Sequence, residues 1–284
     1  MINKYDYSNL ISLSIAPAIA AVGKQYCDLF GSIELMKDIE HRCIIDGFEF
    51  QMLEEWDEST PPMDRQDRRL DVWLNSCKHS VHKIISLIKE TSLRILSVHA
   101  KRDIGIYLCS NKLSDVEEGK RLINEALRFA SEINSPICVF HLWDTWKENF
   151  DIDFLNEVFS KISLEYPNVK ASIENVPTHL KGYTPYDLAK QFQWITLDLQ
   201  WAALYNEFEK FIELKDRIVN IHLRGELESS RWVMKDYQFD FYEVLNTIIE
   251  NWNYRGLLTM EPTKLKEGHL NELITAMTSL GRNG

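Results

Sequence analysis

Cysteine is scarce in this 284-residue chain, and what there is does not pair: Cys27, Cys43, Cys77, Cys109 and Cys138 are odd in number, widely spaced and form no C-x-x-C element. That pattern excludes a disulfide framework and a cysteine zinc site and points to reduced thiols. Basic charge is also short. Thirty-two Lys and Arg against 43 Asp and Glu leave a net charge of −11, with no basic stripe on which a phosphate backbone could be tracked, so a nucleic-acid partner is not expected. No apolar run is long enough to span a bilayer, and no membrane partner is expected. Nor does a Pro/Gly/Ser-rich linker divide the chain, or a glycine-rich phosphate turn follow an early strand-like run.

One segment, residues 10–22 (LISLSIAPAIAAV), has the look of a short signal-peptide core with small residues behind it. Lys4 and Asp6 precede it, however, and cleavage there would remove the first strand-like run, so the reading is of a retained segment and a cytoplasmic protein. At 45% hydrophobic residues the chain can bury a sizeable core as one domain spanning residues 1–284.

Eight apolar runs of β-type composition recur, at 10–14, 44–51, 93–100, 137–143, 170–175, 194–199, 218–223 and 257–262, and helical patterns lie between most of them. The clearest helix is expected to start at Ser114, with Glu117 completing a capping box and Val116, Ile123, Ala126, Leu127 and Ala130 on its buried side. A second, near 240–253, places Phe241, Val244, Leu245, Ile248 and Ile249 on one side, with Gly256 available to end the connection. Parallel strands need a covering helix at each crossover, so eight alternations predict an α/β fold of the closed (β/α)8, TIM-barrel kind. A doubly wound open sheet is the alternative. Residues 53–69 (LEEWDESTPPMDRQDRR) break the rhythm, being polar, with a Pro pair and no periodicity; the segment is either a lid over the barrel mouth or a solvated connection.

Acid or imidazole groups close four of the late runs: Glu174 in KASIENVP, Asp198 in WITLDLQWA, His222 in RIVNIHLRG and Glu261 in GLLTMEP. Residues inside alternating apolar runs are buried on one face or the other of a strand. Carboxylates buried there need a cation or a basic side chain beside them. One divalent metal ion would satisfy all four; the alternative is a set of separate ion pairs with Arg or Lys. Three carboxylates and one imidazole suit Mn2+, Mg2+, Co2+ or Zn2+ and leave the cation a strong Lewis acid.

Six pieces in this order, GFEF at 47–50, VFHLW at 139–143, SIEN at 172–175, TLDL at 196–199, NIHLRG at 220–225 and TMEP at 259–262, resemble the xylose isomerase-like superfamily of sugar-phosphate isomerases and epimerases. That superfamily shares its barrel with endonuclease IV. The resemblance runs from about residue 10 to residue 280. It implies a divalent cation held by Glu174, Asp198, His222 and Glu261, and a carbohydrate or polyol substrate. It further implies that His99 and His141, at the ends of the third and fourth runs, face that substrate; the plain alternative is two core histidines. Glu49 is either a substrate contact or a surface residue, and Arg224 either contacts a substrate oxygen or pairs with Glu226.

Trp201 departs from the pattern. Relatives of this type carry Asp-x-x-His after the sixth strand, whereas here the stretch is Asp198-Leu199-Gln200-Trp201, so an apolar ring stands where a polar contact is usual, open to a substrate-binding role of another kind. Trp143 and Trp146 could wall the pocket. The loss of that histidine, and the lack of any between His222 and His269, argue against endonuclease-type repair. The expected chemistry is isomerisation or epimerisation: Glu174 and Glu261 shuttle a proton beside a carbonyl, with the cation stabilising the enediolate. An inosose dehydratase-like lyase and a non-catalytic sugar- or metal-binding barrel are the alternatives. The sequence leaves a homo-oligomer open.

Overall fold

All eight apolar runs become strands, and all eight pair in parallel. In the computed structural model, which describes residues 9–24, 28–52, 79–234 and 240–280, the strands are β1 (Leu10–Ser14), β2 (Gly47–Gln51), β3 (Ile95–His99), β4 (Ile137–Phe140), β5 (Lys170–Glu174), β6 (Trp194–Asp198), β7 (Ile218–Glu228) and β9 (Leu257–Pro262). A short β8 (Arg231–Val233) lies antiparallel to the end of β7. Neighbours pair in chain order from β1 to β7, β9 follows β7, and Leu10 opposite Leu257 closes the ring from β1 to β9. The architecture is a closed (β/α)8 barrel; the open doubly wound sheet is excluded by that last pairing. The β7–β8 hairpin turns at Ser229 and Ser230, with φ of 50° and 62°, the left-handed pair that a two-residue hairpin turn requires.

Helices cover the outer face of the barrel. Outward strand residues such as Leu13, Val98, Ile173 and Leu197 are buried there, and Phe140 packs edge-on against Phe159 of the helix Ile152–Ser163, ring centres 5.1 Å apart. Inside the barrel much of the filling is polar, beside a small apolar cluster that includes Ile137, Val139 and Leu257. Ser12 and Thr259 hydroxyls lie 2.8 Å apart, Thr259 donates to Asn220 Oδ1 at 2.8 Å, and Ser172 and Thr196 hydroxyls lie 2.7 Å apart. These small groups pair with one another and form a floor, with Asn220 Nδ2 left unpaired. Because side chains repeat every second residue along a strand, residues two further on (Ser14, Glu174, Asp198, His222, Glu261) form the next layer up, at the carboxyl ends of the strands. Ser97 and His99 on β3 follow the same rule.

Two helix-end expectations are corrected. The long helix runs Leu113–Glu132 with Lys112 at its N-cap and no side-chain cap; Glu117 instead reaches Lys120 at 2.7 Å, so the capping box at Ser114 does not form. Its buried stripe includes Ile123, Ala126, Leu127 and Ala130, while Val116 is only half-buried. The later helix, Phe241–Asn246, widens into a π-helical turn over Thr247–Asn251, with all five expected apolar residues buried. The left-handed residue that ends the connection is Asn253, φ 54°, rather than Gly256, which instead lets the Tyr254 hydroxyl approach where a Cβ would stand. The polar stretch 53–69 lies outside the described residues. Among the described residues no helix is long and apolar enough to cross a membrane, and Cys43, Cys109 and Cys138 are free thiols.

Candidate metal centre

Glu174 and Asp198 are the last residues of β5 and β6, Glu261 is the penultimate residue of β9, and His222 stands midway along β7, whose second half leaves the barrel as the hairpin. All four side chains turn inward and are buried. Their polar atoms converge: His222 Nδ1 lies 3.7 Å from Glu174 Oε2 and 3.5 Å from Glu261 Oε2. One donor atom each from Glu174, Asp198 and His222 fall within 4.8 Å of one another.

Local structure aims each group. Asp198 caps the helix Leu199–Leu204, its Oδ1 accepting from the backbone of Gln200 at 2.7 Å and Trp201 at 3.2 Å, which leaves Oδ2 facing the barrel axis. Asn175, absent from the sequence-based site, clamps the same peptide: its side chain accepts from Asp198 N at 2.6 Å and donates to Asp198 O at 3.2 Å. The only sequence signal for it is an amide directly after a strand-end glutamate. His222 Nε2 lies 3.1 Å from Glu49 Oε2. Facing a carboxylate, that nitrogen carries a proton, which leaves Nδ1 as the nitrogen turned to the centre, an arrangement in which an outer carboxylate orients the ring.

Glu49 is therefore neither at the surface nor open to solvent: it is fully buried and also accepts from Ser97 Oγ at 2.9 Å. His99 and His141 both approach Glu174 Oε2, at 3.2 and 2.9 Å, and their rings meet edge to face at 4.9 Å. His99 Nδ1 donates to the Ala100 carbonyl at 2.9 Å, so Nε2 is the nitrogen turned inward. His99, His141 and Glu174 form a second group whose donor atoms lie within 4.8 Å of one another, and Glu174 belongs to both groups.

Arg224, two residues beyond His222 on the same strand face, does not pair with Glu226, which bonds Lys264 at 2.6 Å. Its Nε and Nη2 donate to Glu261 Oε2 at 3.2 and 2.9 Å, Nη2 lies 3.1 Å from Asp198 Oδ2 and 4.0 Å from Glu174 Oε1, and Cζ sits 5.2 Å from the centre of the Trp201 ring. The carboxylates thus share one guanidinium, with Arg102 3.8 Å from Glu261 at the rim, rather than each having its own. Trp143 is a core residue whose indole donates to the Pro177 carbonyl, and Trp146 is largely exposed, stacked on His179.

Electrostatics reflect this crowding. Burial lifts the Asp198 carboxyl to about 7 against the pull of Arg224. Burial also acts to raise Glu174, but the imidazoles of His141 and His222 more than offset it and hold that carboxyl well below the usual range. His222 is pushed the other way: burial disfavours its charge, yet the Glu49 and Glu174 carboxylates raise it well above the ordinary imidazole value. His141, dominated by burial, falls to about 4. Fully buried Glu174 Oε1 and His222 Nδ1 lack a hydrogen-bond partner, and Asp198 Oδ2 is met by the Arg224 guanidinium at 3.1 Å; buried polar atoms left unpaired are costly. One imidazole nitrogen and several carboxylate oxygens facing a common point fit a divalent cation.

No family model and no curated protein matches the sequence. Solved structures do match the fold. A D-tagatose 3-epimerase-like protein is 18% identical, with a TM-score of 0.60 over 95% of this chain and 94% of that one. A D-allulose 3-epimerase from Methylomonas sp. is 13% identical, with a TM-score of 0.61 over 95% of each chain. An IOLI protein solved with a bound zinc atom is 13% identical, with a TM-score of 0.59 over 95% and 94%. By fold, then, the chain is a (β/α)8 barrel like these three structures.

Proposed function

We propose that this protein is a divalent-metal-dependent isomerase or epimerase of a sugar, sugar phosphate or polyol. The observation that carries the reading is the convergence of Glu174, Asp198 and His222 at the mouth of the barrel, one donor atom of each within 4.8 Å of the others, with Glu174 Oε1 and His222 Nδ1 buried and without a hydrogen-bond partner. The naming of structural neighbours as 3-epimerases, one of them in complex with D-allulose, supports a carbohydrate as the substrate class. Glu174, Asp198, His222 and Glu261 would hold the cation, which when bound supplies Lewis-acid polarisation of a carbonyl and its neighbouring hydroxyl.

The remaining work falls to the chain. Glu174 and Glu261 enter from β5 and β9, strands that do not adjoin, so they can flank a bound substrate, one removing the carbon-bound proton and the other returning it. Arg224 holds Glu261 Oε2 by two donors and, with His222, overcomes the effect of burial to keep that carboxyl below its usual range. It enters the reaction ionised. His141, with some side-chain exposure and a depressed pKa, is neutral at physiological pH and can donate to or accept from substrate hydroxyls; His99 stands beside it.

In D2O, protein loaded with Mn2+ is expected to introduce deuterium at a carbon next to the carbonyl of its substrate, followed by NMR across a panel of sugars, sugar phosphates and inositol derivatives. Glu174→Gln and Glu261→Gln should each reduce the exchange by about a hundredfold or more, the typical weight of a general acid or base. Unaltered exchange in both variants would remove the assignment.

A further inference from the structure

We infer that Arg224 is a resident counter-charge that weakens the site's hold on its cation, and that Trp201 is the positioning residue that keeps it in place; this rests on the metal reading above. The guanidinium does not lie at the edge of the cluster. A single nitrogen, Nη2, is 2.9 Å from Glu261 Oε2, 3.1 Å from Asp198 Oδ2 and 4.0 Å from Glu174 Oε1. It therefore bridges Glu261 and Asp198 and stands 4.0 Å from Glu174, the third carboxylate proposed as a ligand. Position on β7 leaves it little choice, because Arg224 follows His222 by two residues and so projects from the same strand face into the same polar layer.

Two opposite effects on a bound cation follow from this contact. Hydrogen bonds from Nε and Nη2 order Glu261, which favours binding. Against that, a fixed unit positive charge sits within a few ångströms of any cation that those oxygens would hold, in a site walled from solvent. At such a separation the repulsion of a divalent ion exceeds what ordering one carboxylate contributes. The net sign is a lower affinity.

Trp201 supplies the other half of the device. Its ring lies under the guanidinium, Cζ 5.2 Å from the ring centre, within the range of a cation–π contact. The indole offers the guanidinium a face suited to a planar cation. The consequence is a carboxylate cluster that is partly compensated without metal and that binds metal exchangeably rather than permanently.

Mn2+ affinity measured by isothermal titration calorimetry on the whole chain tests this, with metal-free melting as a second readout. Arg224→Met keeps an apolar stem over the indole and removes the charge; it should tighten Mn2+ binding by about tenfold or more and lower the metal-free Tm. Arg224→Lys, which keeps the charge, should stay within about threefold of the parent, and Trp201→Leu should tighten binding by a few-fold through loss of the stack. If metal-free Arg224→Met does not hold its fold, chelator competition from the Mn2+-loaded protein gives the same comparison. Parent binding with unchanged or weaker affinity in Arg224→Met overturns this inference alone. No binding of Mn2+ by the parent or any variant overturns both it and the metal reading. Binding by Arg224→Met but not by the parent supports it in its strongest form.

Discussion

Glu49 and His222 are 173 positions apart in the chain and 3.1 Å apart in the barrel. Burial alone would raise the Glu49 carboxyl, but the His222 charge and hydrogen bond, with His99 and Ser97, bring it down to about 2. A carboxyl held below its ordinary value adds stability above that value and loses it as pH falls through the depressed one. Metal-free protein should therefore lose stability between roughly pH 4.5 and pH 2 in urea melts, and Glu49→Gln should flatten that limb. The same variant removes the acceptor that orients His222, so Mn2+ affinity is expected to weaken by about 10–100-fold. A second titration follows from the ligands themselves. Asp198 at about 7 and His222 raised well above its ordinary value both hold protons that a cation must displace, so affinity should strengthen from pH 6 to 8 with proton release, read by calorimetry in buffers of different ionisation heat. The strand-end acids and His222 were legible because they interrupt apolar runs. The partners of Glu49 and Arg224 were not: Glu226 shares a strand face with Arg224, but β7 leaves the barrel after Gly225 and pairs with β8 from Glu226 onward, which carries Glu226 to Lys264.

Strands were easier to read than the ends of helices, and the reason lies in what fixes each. A strand of this barrel is buried on both faces over four to six residues in most cases, so composition alone marks it. A helix end depends on one side chain meeting one backbone N–H. Ser114 has the right chemistry, yet the helix already begins at Leu113 and the hydroxyl turns to Asp115 instead. Asn253 rather than Gly256 takes the left-handed position because both types tolerate it, and only the geometry of the π-helical turn selects between them. Close approach is likewise invisible in sequence. The helix Ile104–Leu108 rests directly on the segment after β4: a Cβ on Gly105 would stand 2.4 Å from the Trp143 carbonyl carbon and oxygen. Backbone cannot yield as a flexible side chain does, so Gly105→Ala should cost about 1–3 kcal/mol and lower Tm by several degrees in thermal denaturation. Because the displaced segment carries His141, two residues before Trp143, activity should fall beyond what the loss of folded protein accounts for.

At the scale of the whole molecule, closure of the ring is what makes a site from residues so far apart in the chain. Glu49 comes from β2, His99 from β3, Glu174, Asp198 and His222 from β5 to β7, and Glu261 from β9, so a cation at the centre would tie the first part of the barrel to the last. Binding to the folded state alone then stabilises the whole ring, by about 2.7 kcal/mol when free Mn2+ is a hundredfold above its Kd. For a chain of this length that corresponds to a Tm roughly 4–5 °C above the chelator-treated protein. The distribution of ligands also fixes the shape of the transition. If the centre were held by one hairpin, chelation would loosen that hairpin and leave the rest; with ligands from four successive strands, and their hydrogen-bond partners on β2 and β3, far-UV and near-UV circular dichroism should shift together and remain coincident. A chelated protein that melts in two steps, one moved by metal and one not, would mean that the cation, if it binds, ties down only part of the ring.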